Sequence, residues 1–181
     1  HVIALDATTG QVVWDTEIVP HSMSGAVLSS GPTVAGHVLV QGVSLGAACH
    51  GGCYVVGLEA ATGRTLWRFD TIPGTGEPGD ETWNGVPREL RTGGAVWIAP
   101  SYDSRSDTVY FGTGGTYDIS RLLRPGPAGT NCDALYTNST IALDPRTGRM
   151  RWYHQHQHCE VWDLDEAFER MLVDLPLDGR R

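Results

Sequence analysis

Ala4-Leu5-Asp6-Ala7-Thr8-Thr9-Gly10-Gln11-Val12-Val13-Trp14 returns as Gly57-Leu58-Glu59-Ala60-Ala61-Thr62-Gly63-Arg64-Thr65-Leu66-Trp67. It returns again as Ala142-Leu143-Asp144-Pro145-Arg146-Thr147-Gly148-Arg149-Met150-Arg151-Trp152. The shared pattern is acidic-x-x-Thr-Gly-x-x-x-Trp, and a pattern repeated at long intervals signals a fold built from similar units. Each copy reads as a β-hairpin. The acidic carboxylate can hold turn amides, Gly takes the left-handed position, and the second strand carries Trp. Apolar runs at Ala26-Val27-Leu28, His37–Val40, Ala95-Val96-Trp97-Ile98 and Thr108–Phe111 lie between the hairpins, each beside Gly, Pro, Ser or Asp. Two such runs and one hairpin make a four-stranded antiparallel unit, the size of a propeller blade.

The expected fold is therefore all-β, a partial β-propeller of four-stranded antiparallel blades with tryptophan-docking motifs. Residues 1–19 read as the tail hairpin of a blade and 21–71 as a blade. Residues 94–156 read as a blade with an inserted loop, and 157–181 as the start of the next. The motif tryptophans, Trp14, Trp67 and Trp152, are expected to pack between neighbouring blades. Propellers close with about 4–8 blades, so the 181 residues read as an internal piece of a longer chain. The opening residues His1-Val2-Ile3-Ala4-Leu5-Asp6 read as a strand running into a turn and not as an initiating Met with a signal peptide.

Composition agrees. Gly 23 and Pro 10, with 6 Trp and 6 Tyr, suit short strands joined by tight turns. An excess of Asp and Glu, 21 against 13 Lys and Arg, gives a formal charge of −8. That sign argues against nucleic acid or an anionic membrane as partner. Four cysteines, Cys49, Cys53, Cys132 and Cys159, allow three pairings. Cys49 with Cys53 and Cys132 with Cys159 is one of them. Zinc-like groupings occur at Cys49, His50 and Cys53 and at His154, His156 and His158. Successive imidazoles on one strand face stand about 6.6 Å apart, too far for joint chelation, so polar strand residues or a disulfide are the preferred reading.

Further strings keep a definite order along the chain: Trp67-Arg68-Phe69-Asp70-Thr71-Ile72-Pro73-Gly74, Gly76-Glu77-Pro78-Gly79-Asp80-Glu81-Thr82-Trp83, Thr92-Gly93-Gly94-Ala95-Val96-Trp97, Tyr110-Phe111-Gly112-Thr113-Gly114, Leu135-Tyr136-Thr137-Asn138-Ser139 and Val161-Trp162-Asp163-Leu164-Asp165. With the repeat, they resemble the pyrroloquinoline quinone (PQQ) dependent quinoprotein alcohol dehydrogenases, periplasmic eight-bladed propellers such as methanol dehydrogenase. The resemblance covers essentially the whole chain. It implies a fragment of a dehydrogenase that oxidises an alcohol or similar hydroxyl substrate by hydride transfer to PQQ. It also implies a Ca²⁺ or lanthanide ion on the quinone carbonyl and a periplasmic electron acceptor such as cytochrome c.

Residue by residue, the resemblance makes Trp97 the floor of the quinone, since a flat indole stacks over a planar ring. Asp163 becomes the base that takes the hydroxyl proton. Ser30 and Ser44 become hydroxyls toward the cofactor's carboxylates. Asp163 and Asp165, which share a face if the segment is extended, become metal ligands, an Asp-x-Asp pair also found in lanthanide-using members. Two positions depart from the family: its Glu after Gly-Ala falls at Ala48, and its Asn after Gly-Thr-Gly falls at Gly115. Losing both oxygens should weaken a hard cation site, because Ca²⁺ takes six to eight oxygen ligands. The rival reading is a cofactor-free repeat propeller serving as a scaffold or assembly protein, which the repeat alone fits equally well.

Overall fold

The computed structural model describes residues 1–20, 25, 27–44 and 49–176. It is all-β, in three antiparallel sheets. A two-stranded sheet pairs β1 (Val2–Leu5) with β2 (Val12–Thr16). A four-stranded sheet follows in the order β3 (Thr33–Ala35), β4 (Val38–Gly42), β5 (Tyr54–Glu59) and β6 (Thr65–Asp70). A second meander runs through β7 (Ser101–Asp103), β8 (Thr108–Gly112), β9 (Ser139–Leu143) and β10 (Met150–Gln155).

The repeated hairpins are β1–β2, β5–β6 and β9–β10. In each turn the glycine amide donates to the main-chain carbonyl of the acidic residue: Gly10 to Asp6 at 2.8 Å, Gly63 to Glu59 at 2.8 Å and Gly148 to Asp144 at 2.9 Å. The glycines sit at φ 72°, 72° and 67°, where a Cβ is strained. Asp6 shows why the acid is there: its Oδ1 accepts from the amides of Thr8 and Thr9 and from the Thr9 hydroxyl. The tryptophan then faces a small residue across the strand pair, Ala4 opposite Trp14, Gly57 opposite Trp67 and Ala142 opposite Trp152.

The same tryptophans join one unit to the next. Trp14 Nε1 donates to Ala60 O at 3.1 Å, and Trp67 Nε1 donates to Pro145 O at 2.8 Å. Both acceptors are the residue after the acidic one in the following hairpin, although 46 residues separate the first pair and 78 the second. Each ring also covers the turn glycine of that hairpin, Trp14 over Gly63 and Trp67 over Gly148. Trp152, whose following hairpin is not among the described residues, stays 47% exposed.

The first strand of each four-stranded sheet differs from the reading of the apolar runs. Residues 95–98 form no ladder, and Val27 makes only an isolated bridge with Ser44; Ala26 lies outside the described residues. The ladders begin instead at Thr33 and Ser101, each directly after a proline, Pro32 and Pro100. Proline lacks the amide a strand interior needs and is tolerated at its start.

One core, with Val38, Val40, Val55, Trp67, Val96, Val109, Phe111, Ile141 and Leu143, fills the space between the two four-stranded sheets. The long insertions at 71–92 and 113–138 pack on each other through Ile72, Trp83, Val86, Leu122 and Ala134. Arg91, 3% exposed, ties that satellite together by donating to Val86 O, Pro73 O and Asp80. The disulfides are Cys49–Cys53 and Cys132–Cys159, so neither Cys49 nor Cys53 is a thiolate available to zinc. Strand β10 ends at Gln155, so the histidines do not share one strand face. His154 and His156 touch edge to face at 4.8 Å, whereas His158 lies 3.5 Å from Asp133. No helix among the described residues is long and apolar enough to cross a membrane.

Candidate functional site

Four stretches meet beyond the ends of β4 and β8. Val96 donates its amide to Val43 O at 3.3 Å, Gly114 to Ala95 O at 2.9 Å and Gly94 to Gly115 O at 3.1 Å. Residues 43–44, 94–97 and 113–115 thus lie side by side. Glycine is required at the crossing, because a Cβ on Gly93 would stand 2.2 Å from Gly115 O. The fourth stretch, after β10, is drawn in by Asp165, whose Oδ1 accepts the Gly115 amide at 2.8 Å across 50 residues.

Trp97 is half-buried and packs against the cluster containing Val43 and Ala95. A Cβ on Gly114 would stand 2.6 Å from the Trp97 ring and 3.0 Å from Asp165 Oδ1, so glycine lets the indole edge and the carboxylate share one small space. The Trp97 carbonyl accepts from the Ser29 hydroxyl at 3.3 Å. Ser44 lies on the neighbouring stretch through its backbone bridge with Val27. The Ser30 hydroxyl accepts from Gln41 Nε2 at 3.4 Å.

Asp163 is exposed, beside a Trp162 that is 79% exposed. Its backbone is left-handed, φ 62°, in an irregular segment that bends at Trp162, so the strand alternation that would put Asp163 and Asp165 on one face does not apply. The bend is held from Glu160, whose Oε1 accepts the Trp162 amide. Farther along, Arg170 pins the segment to the sheet by donating to Thr140 Oγ1 at 2.8 Å, Glu166 O at 2.7 Å and Phe168 O at 2.9 Å. The Cys132–Cys159 bridge fastens the near end of the same segment to the 113–138 insertion.

The electrostatics are those of crowded acids. Burial pushes the Asp165 carboxyl above its ordinary value; the Gly115 amide opposes this, and the charges of Asp163 and Glu160 add to it. Tyr117 is pushed up to about 12, first by burial and then by Asp165 and Asp163. Sequence reasoning missed three contributors here: Tyr117, Glu160 and Asn138. Asn138 is fully buried at φ 47°, and neither its Oδ1 nor its Nδ2 has a hydrogen-bond partner. A buried unpartnered amide costs about 1–3 kcal/mol, which marks this point as a place for a ligand.

No three His, Cys, Asp or Glu side chains among the described residues form a metal-holding group by themselves. The oxygen set beside Gly115 is two carboxylates and an amide, from Glu160, Asp165 and Asn138. In chemical kind that set, with its orphaned amide, fits a hard oxygen-seeking cation. Ala48 lies outside the described residues.

Comparison with known proteins agrees with the fold and with the ordered motifs. The profile of the PQQ family described as the glucose/ethanol/alcohol dehydrogenase β-propeller domain matches residues 20–181. Quinohemoprotein alcohol dehydrogenase ADH IIB of Pseudomonas putida is 30% identical over 99% of this chain and 27% of its own length. Lupanine 17-hydroxylase [cytochrome c] of a Pseudomonas species is 30% identical over 98% of this chain and 26% of its own. Among solved structures, a europium-containing methanol dehydrogenase superposes with a TM-score of 0.83 at 28% identity, over 99% of this chain and 33% of its own. The quinohemoprotein alcohol dehydrogenase of Comamonas testosteroni does so with 0.79 at 27% identity, over 98% and 28%. The chain thus spans about a quarter of the length of such relatives.

Proposed function

From the premise that this chain belongs to the PQQ family of glucose/ethanol/alcohol dehydrogenase β-propeller domains, we propose that it supplies one side of a quinone site where an alcohol or similar hydroxyl substrate is oxidised. When bound, PQQ supplies the two-electron acceptor, and a Ca²⁺ or lanthanide ion supplies the Lewis acid for its carbonyl. Trp97 offers one face of its indole as the floor, and Ser30 and Ser44 offer hydroxyls to the cofactor's carboxylates. Asp163, exposed and next to the cluster, takes the hydroxyl proton as the substrate carbon gives up hydride. Asp165, anchored by the Gly115 amide, holds negative charge beside the floor and serves with Asp163 as oxygen donor.

The observation carrying this reading is the meeting of Trp97 and Asp165 at Gly114, where only a missing side chain leaves room for both. Electrons then leave to a carrier of the cytochrome c type in the periplasm, a partner class suggested by the cytochrome c in one relative's name. The remaining blades of the longer protein complete the site. Gly115, where family members carry a metal-binding Asn, favours the scaffold reading. The test is Asp163→Asn in the purified protein. The reading expects turnover to fall by at least 10²-fold, the scale of one general base, with quinone still bound. Undiminished turnover would remove Asp163 from the mechanism.

A further inference from the structure

Gly115 stands where the resemblance sets a metal-binding Asn, and the space beside it is already filled. A Cβ there would lie 3.2 Å from Glu160 Oε2, 3.3 Å from Asn138 Oδ1 and 3.7 Å from Asp165 Oδ1. Three oxygens from two stretches, Asn138 before β9 and Glu160 with Asp165 after β10, thus converge on the one residue whose side chain brings none of its own. A side chain at 115 would press on the Glu160 carboxylate, which would have to give by a few tenths of an ångström, so the glycine leaves that carboxylate its present place.

Each oxygen is placed by something other than a cation. Glu160 is 7% exposed; its Oε1 accepts the Trp162 amide, which leaves Oε2 turned to the cluster. Asp165 Oδ1 is fixed by the Gly115 amide. Asn138 is held by its main chain, its amide donating to Gly114 O at 3.2 Å and its carbonyl accepting from the His156 amide at 2.8 Å. Its side-chain amide, fully buried, has no partner at either atom. Two carboxylates brought together at Gly115 repel unless a positive charge lies between them, and the Asn138 oxygen is the neutral donor such a cation would also engage.

The geometry points to a rebuilt cation site in which Glu160 and Asn138, with Asp165, supply the oxygens that Gly115 does not, for a hard ion such as Ca²⁺ or a trivalent lanthanide. The ion's catalytic role rests on the dehydrogenase reading, whereas its binding does not. The ion completes the Asn138 oxygen and separates the two carboxylates, with water or backbone oxygens making up the rest of the six to eight such ions take.

The experiment is titration of the purified, metal-stripped protein with Tb³⁺, read by luminescence sensitised through tryptophan, and with Ca²⁺ in competition. Quinone uptake is followed in the same samples by absorbance. Glu160→Gln keeps shape and removes charge; Asn138→Ala removes the oxygen; Asp103→Asn, half-buried at the end of β7 and outside the cluster, is the control. Circular dichroism establishes that each variant is folded. The proposal expects Tb³⁺ to bind, Ca²⁺ to displace it, and affinity to fall at least tenfold in Glu160→Gln and measurably in Asn138→Ala, with Asp103→Asn unchanged. Equal affinity in Glu160→Gln and the parent would overturn it, as would no Tb³⁺ binding with or without quinone. Ion binding that requires Glu160 without quinone uptake supports the site and refutes the dehydrogenase reading. Quinone uptake and turnover indifferent to Glu160 do the reverse.

Discussion

Replacing Gly148 by alanine isolates the docking of one unit on the next. Gly148 sits at φ 67°, and a Cβ there would stand 2.5 Å from Cδ2 and 2.6 Å from Cε3 of Trp67. Gly36, in the β3–β4 turn, has nearly the same backbone, φ 62°, but open space where its Cβ would be. Alanine at either position bears the left-handed cost of about 1–2 kcal/mol. Only at Gly148 does it also force the indole away from its place, an overpacking cost of about 1–3 kcal/mol. Gly148→Ala should therefore lose about 2–5 kcal/mol and Gly36→Ala about 1–2. With a urea slope near 2 kcal/mol/M, the difference is a midpoint about 0.5–1.5 M lower for Gly148→Ala. Urea unfolding followed by tryptophan fluorescence reads it directly. Equal midpoints for the two variants would refute the claim that Trp67 packs on the turn of the following hairpin.

Trp67→Phe keeps a ring but removes the donor to Pro145 O; leaving that carbonyl unpaired should cost about 1–3 kcal/mol, visible as a lower thermal midpoint. The Asp80 carboxyl is held below its ordinary value by the Gly76 amide first and the Arg91 guanidinium second. A carboxyl lowered on folding stabilises the fold above its unfolded pKa, and that contribution fades as pH falls through the folded value. Asp80→Asn should therefore flatten the loss of stability below about pH 4, measured as thermal midpoint against pH. Replacing Cys132 and Cys159 together by serine opens a cross-link spanning 27 residues, a loss of about 3–4 kcal/mol on the loop-entropy scale. Proteolysis should then cut first between residues 157 and 165, and an unchanged cleavage pattern would show that the bridge does not hold the Asp163 segment.

What the sequence makes legible is what local chemistry determines. Asp6, Thr9 and Gly10 each do their work within a single turn, and Trp14 stands at a fixed spacing after it although it docks on the next hairpin, so the hairpins and the docking tryptophans can be read from the spacing alone. The first strand of each four-stranded sheet cannot. Ala95-Val96-Trp97-Ile98 has the apolar character of a strand, yet its main-chain to main-chain hydrogen bonds go one each to Val43 and Gly114, on two different stretches. The ladder starts only after Pro100, a boundary the residues do signal. The site divides in the same way. Trp97, Asp163 and Asp165 stand in short ordered strings and are found by resemblance. Asn138 and Glu160 emerge only when the chain crosses itself at Gly114 and Gly115, because the contact between residues 115 and 165 spans 50 positions. No spacing rule shows that a buried amide faces a glycine there.

The most direct test of the account is titration of PQQ into the purified protein at fixed Ca²⁺ or lanthanide, following quinone absorbance together with quenching of tryptophan fluorescence. The account predicts saturable quinone uptake that strengthens with the cation and is lost in Trp97→Ala. No spectral change under any cation would contradict the dehydrogenase reading and leave the repeat propeller as a scaffold without a cofactor.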